Sequence, residues 1–192
     1  MNGNEPIWTM EDLPELKTGD CVCFKPQDKI RQWFAEKIGS VSWHWALVGR
    51  KQPADDWGGV DWSVAESIPQ KGVVRTLLSQ NQYLNYHYHM RIYRPKLPDG
   101  EQDKLAPYIM KRCNFYGSAG FDWAQATNMG LWFLIRHLGI KWWMKKDMRF
   151  ICLELCNQVW ADLDFPLCDM GEPPNPTNFE QSDQLELIWG TF

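Results

Sequence analysis

The stretch ICLELCNQVWADL, residues 151–163, decides how this chain is read. Its apolar residues Ile151, Leu155 and Val159 recur every fourth position, the spacing of one helix face. Cys152 falls at the head of that helix, where unsatisfied backbone N–H groups and the helix dipole favour a thiolate. The same N–H groups can hold an oxyanion formed when a carbonyl is attacked. The basic run from Lys141 to Arg149 precedes the helix and adds to that field. Cys156, one turn on, shares the face of Cys152, so the pattern alone equally allows two packed core thiols.

Upstream of this helix the chain alternates. Gly19-Asp20 is a turn signal ahead of CVCF, which reads as a first strand. Residues 28–38 carry Ile30, Phe34 and Ile38 at four-residue spacing and read as a helix ended by Gly39-Ser40. VSWHWALVG reads as a strand with Ser42, His44, Ala46 and Val48 on one face. KQPADDWGG reads as a loop. VDWSVAES is a strand that puts Trp62, Val64 and Glu66 on one face, and GVVRTLL is a further strand or extended segment. In NYHYHMRIYRP, Tyr86, Tyr88, Met90 and Ile92 face one way and His87, His89 and Arg91 the other. Helices are expected over 101–113, in which Pro107 is the residue least suited to a helix interior, and from an Asp122 cap to about His137. The segment PLCDMGEPPNPTNFEQSDQ is rich in turn formers and reads as a surface wrap. Strands flanked by helices give an α+β domain, taken as one domain over residues 1–192.

Composition fits a globular chain: 44% hydrophobic, 23% charged, net charge −4. That balance gives no reason to propose nucleic acid as a partner. The 12 tryptophans suit either a core or a surface for sugars, peptides or lipid headgroups. The first residues lack a basic start and an apolar core, so no signal peptide is read. GLWFLIRHLGI carries Arg136 and His137 and is too short to span a bilayer. A cytoplasmic location is expected; an extracellular substrate would require release by lysis, as for a phage-encoded enzyme. With six cysteines and no secretory signal, disulfides are not expected. No C-x-x-C pair points to a zinc ribbon, and Cys21 and Cys23 read as packed strand thiols.

Cys152, His44 and Glu66 are the parts of nucleophilic acyl transfer: a thiol, a general base, and a residue to orient that base. Each also has a plain structural reading. The thiol can be core, His44 can bond a backbone carbonyl, and Glu66 can pair with Lys71 or Arg75.

The order of segments resembles the circularly permuted papain-like hydrolases of the NlpC superfamily, in particular the YiiX/YebB-like branch. The resemblance runs through LKTGDCVCF for the opening strand, WHWALVG for the histidine strand, and VAES with GVVRTLL for the third residue and its successor. IYRP resembles the strand that closes the sheet, YGSAGFDW the Gly-x-x-Tyr-Asp-type segment, FICLELCNQVW the cysteine helix, and NPTNF the Thr-Pro-x-Asp-Leu tail. It spans roughly residues 13–183. Leu153 stands where a serine is common, Phe121 where a tyrosine is usual, and Pro176-Thr177 where Thr-Pro is expected. What the resemblance implies is a small antiparallel sheet or barrel against helices, with Cys152 as nucleophile, His44 as base and Glu66 orienting His44. No metal or organic cofactor is required by that chemistry.

The substrate stays open among classes. An amide, most plausibly a peptide bond of peptidoglycan, is the commonest target of the wider superfamily. A lipid ester or acyl transfer of the lecithin:retinol acyltransferase-like type is the second reading. LWFLIRHLGIKWWMKK favours it, because Trp and Lys together suit peripheral membrane contact. A non-catalytic binding module is the third, with His87, His89 and Arg91 as a separate metal- or phosphate-binding face.

Overall fold

The computed structural model describes residues 7–26, 29–53, 60–80, 89–122, 149–169 and 176–192, without the side chains of Phe34, Ile38, Arg149 and Phe150. The elements in chain order are β1 (Cys21–Phe24), α1 (Lys29–Ile38), β2 (His44–Pro53), β3 (Val60–Ile68), β4 (Gly72–Leu77), β5 (Met90–Pro95), α2 (Glu101–Tyr116) and β6 (Gly120–Phe121). They continue with β7 (Arg149–Phe150), α3 (Cys152–Ala161), α4 (Pro176–Glu180) and β8 (Leu185–Gly190). Six strands form one sheet in the order β4-β3-β2-β1-β5-β8, every neighbouring pair antiparallel. The sheet is open, not a barrel. The short β6 and β7 pair in parallel beside it.

β1 lies at the centre because all four of its residues are apolar and buried. A strand covered on both faces reads as an unbroken hydrophobic run. Its alternation divides the core. Cys21 and Cys23 join Trp45, Leu47 and Tyr93, onto which α2 and α3 bring Ile109, Leu155, Val159 and Trp160. Val22 and Phe24 join Ala46, Val48, Val64, Met90 and Ile92, covered by Trp8 and Leu16. Trp8, Trp45 and Trp160 are therefore core residues.

The Gly19-Asp20 turn has a stricter cause than turn propensity. Gly19 has φ +99°, and a Cβ there would lie 2.5 Å from the Trp160 ring and 2.8 Å from Ile109. Its carbonyl accepts the Trp160 indole N–H at 3.0 Å. Only glycine combines that backbone with that approach, so α3 and the start of β1 are locked together.

Several expectations change. α1 forms where expected, but Ile30 is 78% exposed and Ala35 is buried, so the inward face does not run through Ile30. β2 continues to Pro53 through residues read as loop, because Lys51, Gln52 and Pro53 pair with Trp62, Asp61 and Val60. α2 forms through Pro107 as expected and ends at Tyr116 instead of 113. The carbonyl that loses its donor belongs to exposed Asp103, where water replaces the bond. IYRP is an interior strand, not the sheet's edge, because β8 pairs beyond it. The segment read as a surface wrap contains α4, with Phe179 wholly buried. Phe179 stacks 5.0 Å from Trp45, burial that turn composition does not register. The helix expected after Asp122 and up to His137, the tryptophan-lysine run, and Tyr86, His87 and Tyr88 lie outside the described residues.

Candidate active site

Ile151 precedes α3 with extended backbone angles and offers no side-chain cap. Its own N–H donates instead to Glu154 Oε2 at 3.0 Å. The first intrahelical bond runs from Leu155 N–H to the Ile151 carbonyl. The N–H groups of Cys152 and Leu153 therefore have no acceptor within the helix, as at any helix start. They form a positive, donor-rich end beside the Cys152 sulfur.

Cys152 is half-buried, while the other five cysteines are buried and all six are free thiols. Burial, above all, pushes the Cys23 and Cys156 thiols well up, and pushes those of Cys113 and Cys168 up to about 12. A charged sulfur in an apolar core has nothing to replace its hydration. Cys156 adds a hydrogen bond and charge repulsion with Cys21, which makes it a packed thiol one turn below the half-buried one.

His44 is the first residue of β2 and Glu66 lies on β3. The register pairs Leu47 with Ala65 and Val48 with Val64, which makes His44 and Glu66 diagonal neighbours on one face. His44 Nε2 stands 2.7 Å from Glu66 Oε2, and both side chains are buried. Glu66 Oε1 accepts the Thr76 hydroxyl from β4 at 3.3 Å. The Cys152 side chain hydrogen-bonds the His44 ring; with Nε2 turned to Glu66, Nδ1 is the nitrogen left for the sulfur. By alternation the His44–Glu66 pair belongs with the face opposite α3. It meets the thiol because each partner begins its element, His44 at the start of β2 and Cys152 at the start of α3.

Burial disfavours charge on the His44 ring, but Cys152, by charge and hydrogen bond, and then Glu66 outweigh it. His44 is pushed up to about 10. The arrangement thus places the imidazole between the Cys152 side chain and the Glu66 carboxyl group, with the Phe24 ring tilted 6.1 Å away. It can store a nucleophile, hand a proton to a leaving group, and offer two amides to an oxyanion.

The three sequence-derived residues come together in space. The Glu66 oxygens face His44 and Thr76. Thr76 was not singled out, since a threonine in a strand carries no signal of its partner. The separate face of His87, His89 and Arg91 fares differently. His89 Nδ1 lies 3.0 Å from the Thr191 carbonyl and Arg91 Nε donates to the Phe192 carbonyl at 2.9 Å. These two are engaged by the residues after β8, and His87 lies outside the described residues.

An α+β architecture with an open antiparallel sheet and a thiol-imidazole-carboxylate cluster is the class this molecule defines. Its fold is similar to that of the metalloprotein YiiX from Escherichia coli O157:H7, with a TM-score of 0.62 over 92% of this chain and 98% of that one, at 14% sequence identity. The fold is thus YiiX-like. No family profile and no curated protein sequence matches the chain. Among the described residues, no group of three or more His, Cys, Asp and Glu side chains is arranged to hold a metal ion. No described helix is long and apolar enough to cross a membrane.

Proposed function

We propose that this protein is a cysteine hydrolase cleaving an amide bond, with a peptide of peptidoglycan as substrate, through Cys152, His44 and Glu66. The observation that carries the reading is His44, buried, 2.7 Å from Glu66 on one side and bonded by the only half-buried thiol on the other. A buried ring in that position needs a use for its proton, and a helix start gives the thiolate its field. The superfamily resemblance supplies the substrate class.

In this mechanism the Cys152 thiolate attacks the amide carbonyl carbon. The carbonyl's π pair moves to oxygen, where the Cys152 and Leu153 N–H groups receive it. His44 gives its Nδ1 proton to the nitrogen of the leaving amine as the C–N bond breaks, leaving a thioester. A water molecule, deprotonated by the now neutral ring, attacks the thioester and releases the acid, and Cys152 leaves as thiolate beside imidazolium. Glu66 keeps the ring in one tautomer and offsets its charge, with Thr76 holding the second carboxylate oxygen. The step needs no redox partner.

The test is alkylation by iodoacetamide, read by peptide mass spectrometry. Cys152 is expected to be modified ahead of the other five cysteines, and His44→Ala to slow it. Equal modification of all six would overturn the reading. Peptidoglycan fragments and phospholipid vesicles, assayed side by side with wild type and Cys152→Ala, then separate amide hydrolysis from lipid ester chemistry.

A further inference from the structure

The residues that lead into His44 are held by a carboxylate from far along the chain. Glu180, the last residue of α4, accepts the Ser40 hydroxyl at 2.7 Å, the Ser42 N–H at 3.0 Å and the Ser42 hydroxyl at 2.5 Å on Oε1. Its Oε2 accepts the Val41 N–H at 3.3 Å. Ser42 Oγ in turn accepts the Trp45 indole N–H at 3.0 Å, and Phe179, the neighbour of Glu180, stacks on that same indole. The remaining amides of this turn are held locally, Ser40 N–H by the Ala35 carbonyl and Trp43 N–H by the Phe24 carbonyl. Of the four backbone donors ahead of His44, the Val41 N–H meets Glu180, and the Ser42 N–H is shared between Glu180 and Ser40 Oγ, which lies 3.0 Å away.

We propose that Glu180 is a positioning residue for the site: it fixes the backbone of residues 40–42, and with it the point where β2 begins and where the His44 ring stands between Cys152 and Glu66. The inference rests on the cysteine hydrolase reading above. Its physical basis is reach. His44 is the first residue of its strand, so the ladder holds it from one side only, and the other side is the turn that Glu180 ties down. Without the carboxylate, the buried Ser40 and Ser42 hydroxyls lose their charged acceptor, and the turn must rely on the weaker bonds within itself, Ser42 N–H to Ser40 Oγ and Ser40 hydroxyl to the Ser42 carbonyl, both at 3.0 Å. A ring that must satisfy a 2.7 Å contact on one edge and a sulfur on the other cannot follow a displaced backbone without losing one of them. The charged and titratable groups around Glu180 are Cys23, Tyr93 and Arg91, of which Cys23 also hydrogen-bonds the Ser42 side chain.

The experiment compares wild type, Glu180→Ala, Glu180→Gln and His44→Ala. It measures the iodoacetamide rate at Cys152 across pH, the His44 ring titration by NMR, and thermal unfolding. Glu180→Ala is expected to slow Cys152 alkylation about tenfold or more at neutral pH. It should also let His44 lose its proton at lower pH than in wild type. Glu180→Gln, which keeps one acceptor oxygen for Ser40 and Ser42, should recover most of that rate. A purely structural role would lower the melting temperature and leave the alkylation profile and the His44 titration of the folded protein unchanged, and that result would overturn the inference. If Glu180→Ala does not fold, the double variant Ser40→Ala/Ser42→Ala carries the test, with an unchanged rate again overturning it. Alkylation that is indifferent to His44→Ala would instead bring down the hydrolase reading itself, and the positioning role with it.

Discussion

Two buried carboxylates flank β2 in this fold, and they are bound in opposite ways. Asp20, just ahead of β1, is saturated by fixed donors. Its Oδ1 accepts Arg94 Nε at 2.9 Å and Gln102 Nε2 at 2.8 Å, and its Oδ2 accepts Arg94 Nη2 at 2.7 Å and the Lys17 N–H at 2.8 Å. The guanidinium never gives up its proton at physiological pH, so this cluster has one state and sets geometry. Glu66, on β3, faces an imidazole whose other partner is a thiol. That ring can bind and release a proton, so the second cluster has two states, as the proposed hydrolysis requires. A buried charge with permanent partners builds a fold, while one with a titrating partner builds a site.

The sharpest way to break this comparison is at the thiol. Cys152→Ala is expected to lower hydrolysis of a peptidoglycan fragment by about 10⁴-fold or more, while shifting the unfolding free energy by no more than about 1 kcal/mol. Retained hydrolysis would take the second cluster out of catalysis.

At the saturated cluster the expectation is reversed. Asp20→Ala strands the partly buried Arg94 and should cost about 3–5 kcal/mol in urea unfolding. The Cys152 alkylation rate of the protein that remains folded should stay near wild type. A variant that keeps its stability but loses thiol reactivity would erase the distinction.

A finer separation comes from pH. His44 holds its proton below about 10 and loses it as pH rises through that value. The imidazolium is therefore complete in neutral solution and absent in strong alkali. Glu66→Gln removes one of the groups that raise His44, so in the variant the proton should leave at lower pH. The alkaline fall in hydrolysis should move down with it. NMR of the His44 ring checks the direction, with Asp20→Asn as the control that leaves the titration in place.

The smallest effect is expected at Thr76. Thr76→Val removes the 3.3 Å bond to Glu66 Oε1 and should cost about 0.5–1.5 kcal/mol in chemical denaturation, with a rate loss below about tenfold. A larger loss of rate than of stability would show that Thr76 aims the carboxylate as well as satisfying it.

The places of the three candidate residues in the fold are legible in the sequence. Cys152 at a helix head, and His44 and Glu66 on neighbouring strands, follow from spacing and from the order of segments. α3, β1, β3 and β4 appear where periodicity puts them, because short-range patterns of apolar residues are set by which side of an element meets the core. Thr76, Ser42 and Glu180 were unreadable. Each matters only through a partner tens of residues away, and a polar residue in a strand or turn carries no mark of that partner. The same holds for α4 and β8, whose few residues are placed by Phe179 against Trp45 and by pairing with β5, contacts that local composition does not encode.

By itself the sequence determined the kinds of element, the placement of one thiol at a helix start, and an α+β arrangement of strands and helices. Those properties are local, governed by periodicity, capping and glycine. The tertiary structure alone decided that the sheet is open, that β5 is interior, and that of six thiols one is half-buried beside His44. It also decided that Asp20 is a saturated structural charge and Glu66 a charge shared with a titrating ring. Burial and pairing across the fold make those differences, since the same carboxylate in the same kind of strand acquires its role from the donors that surround it.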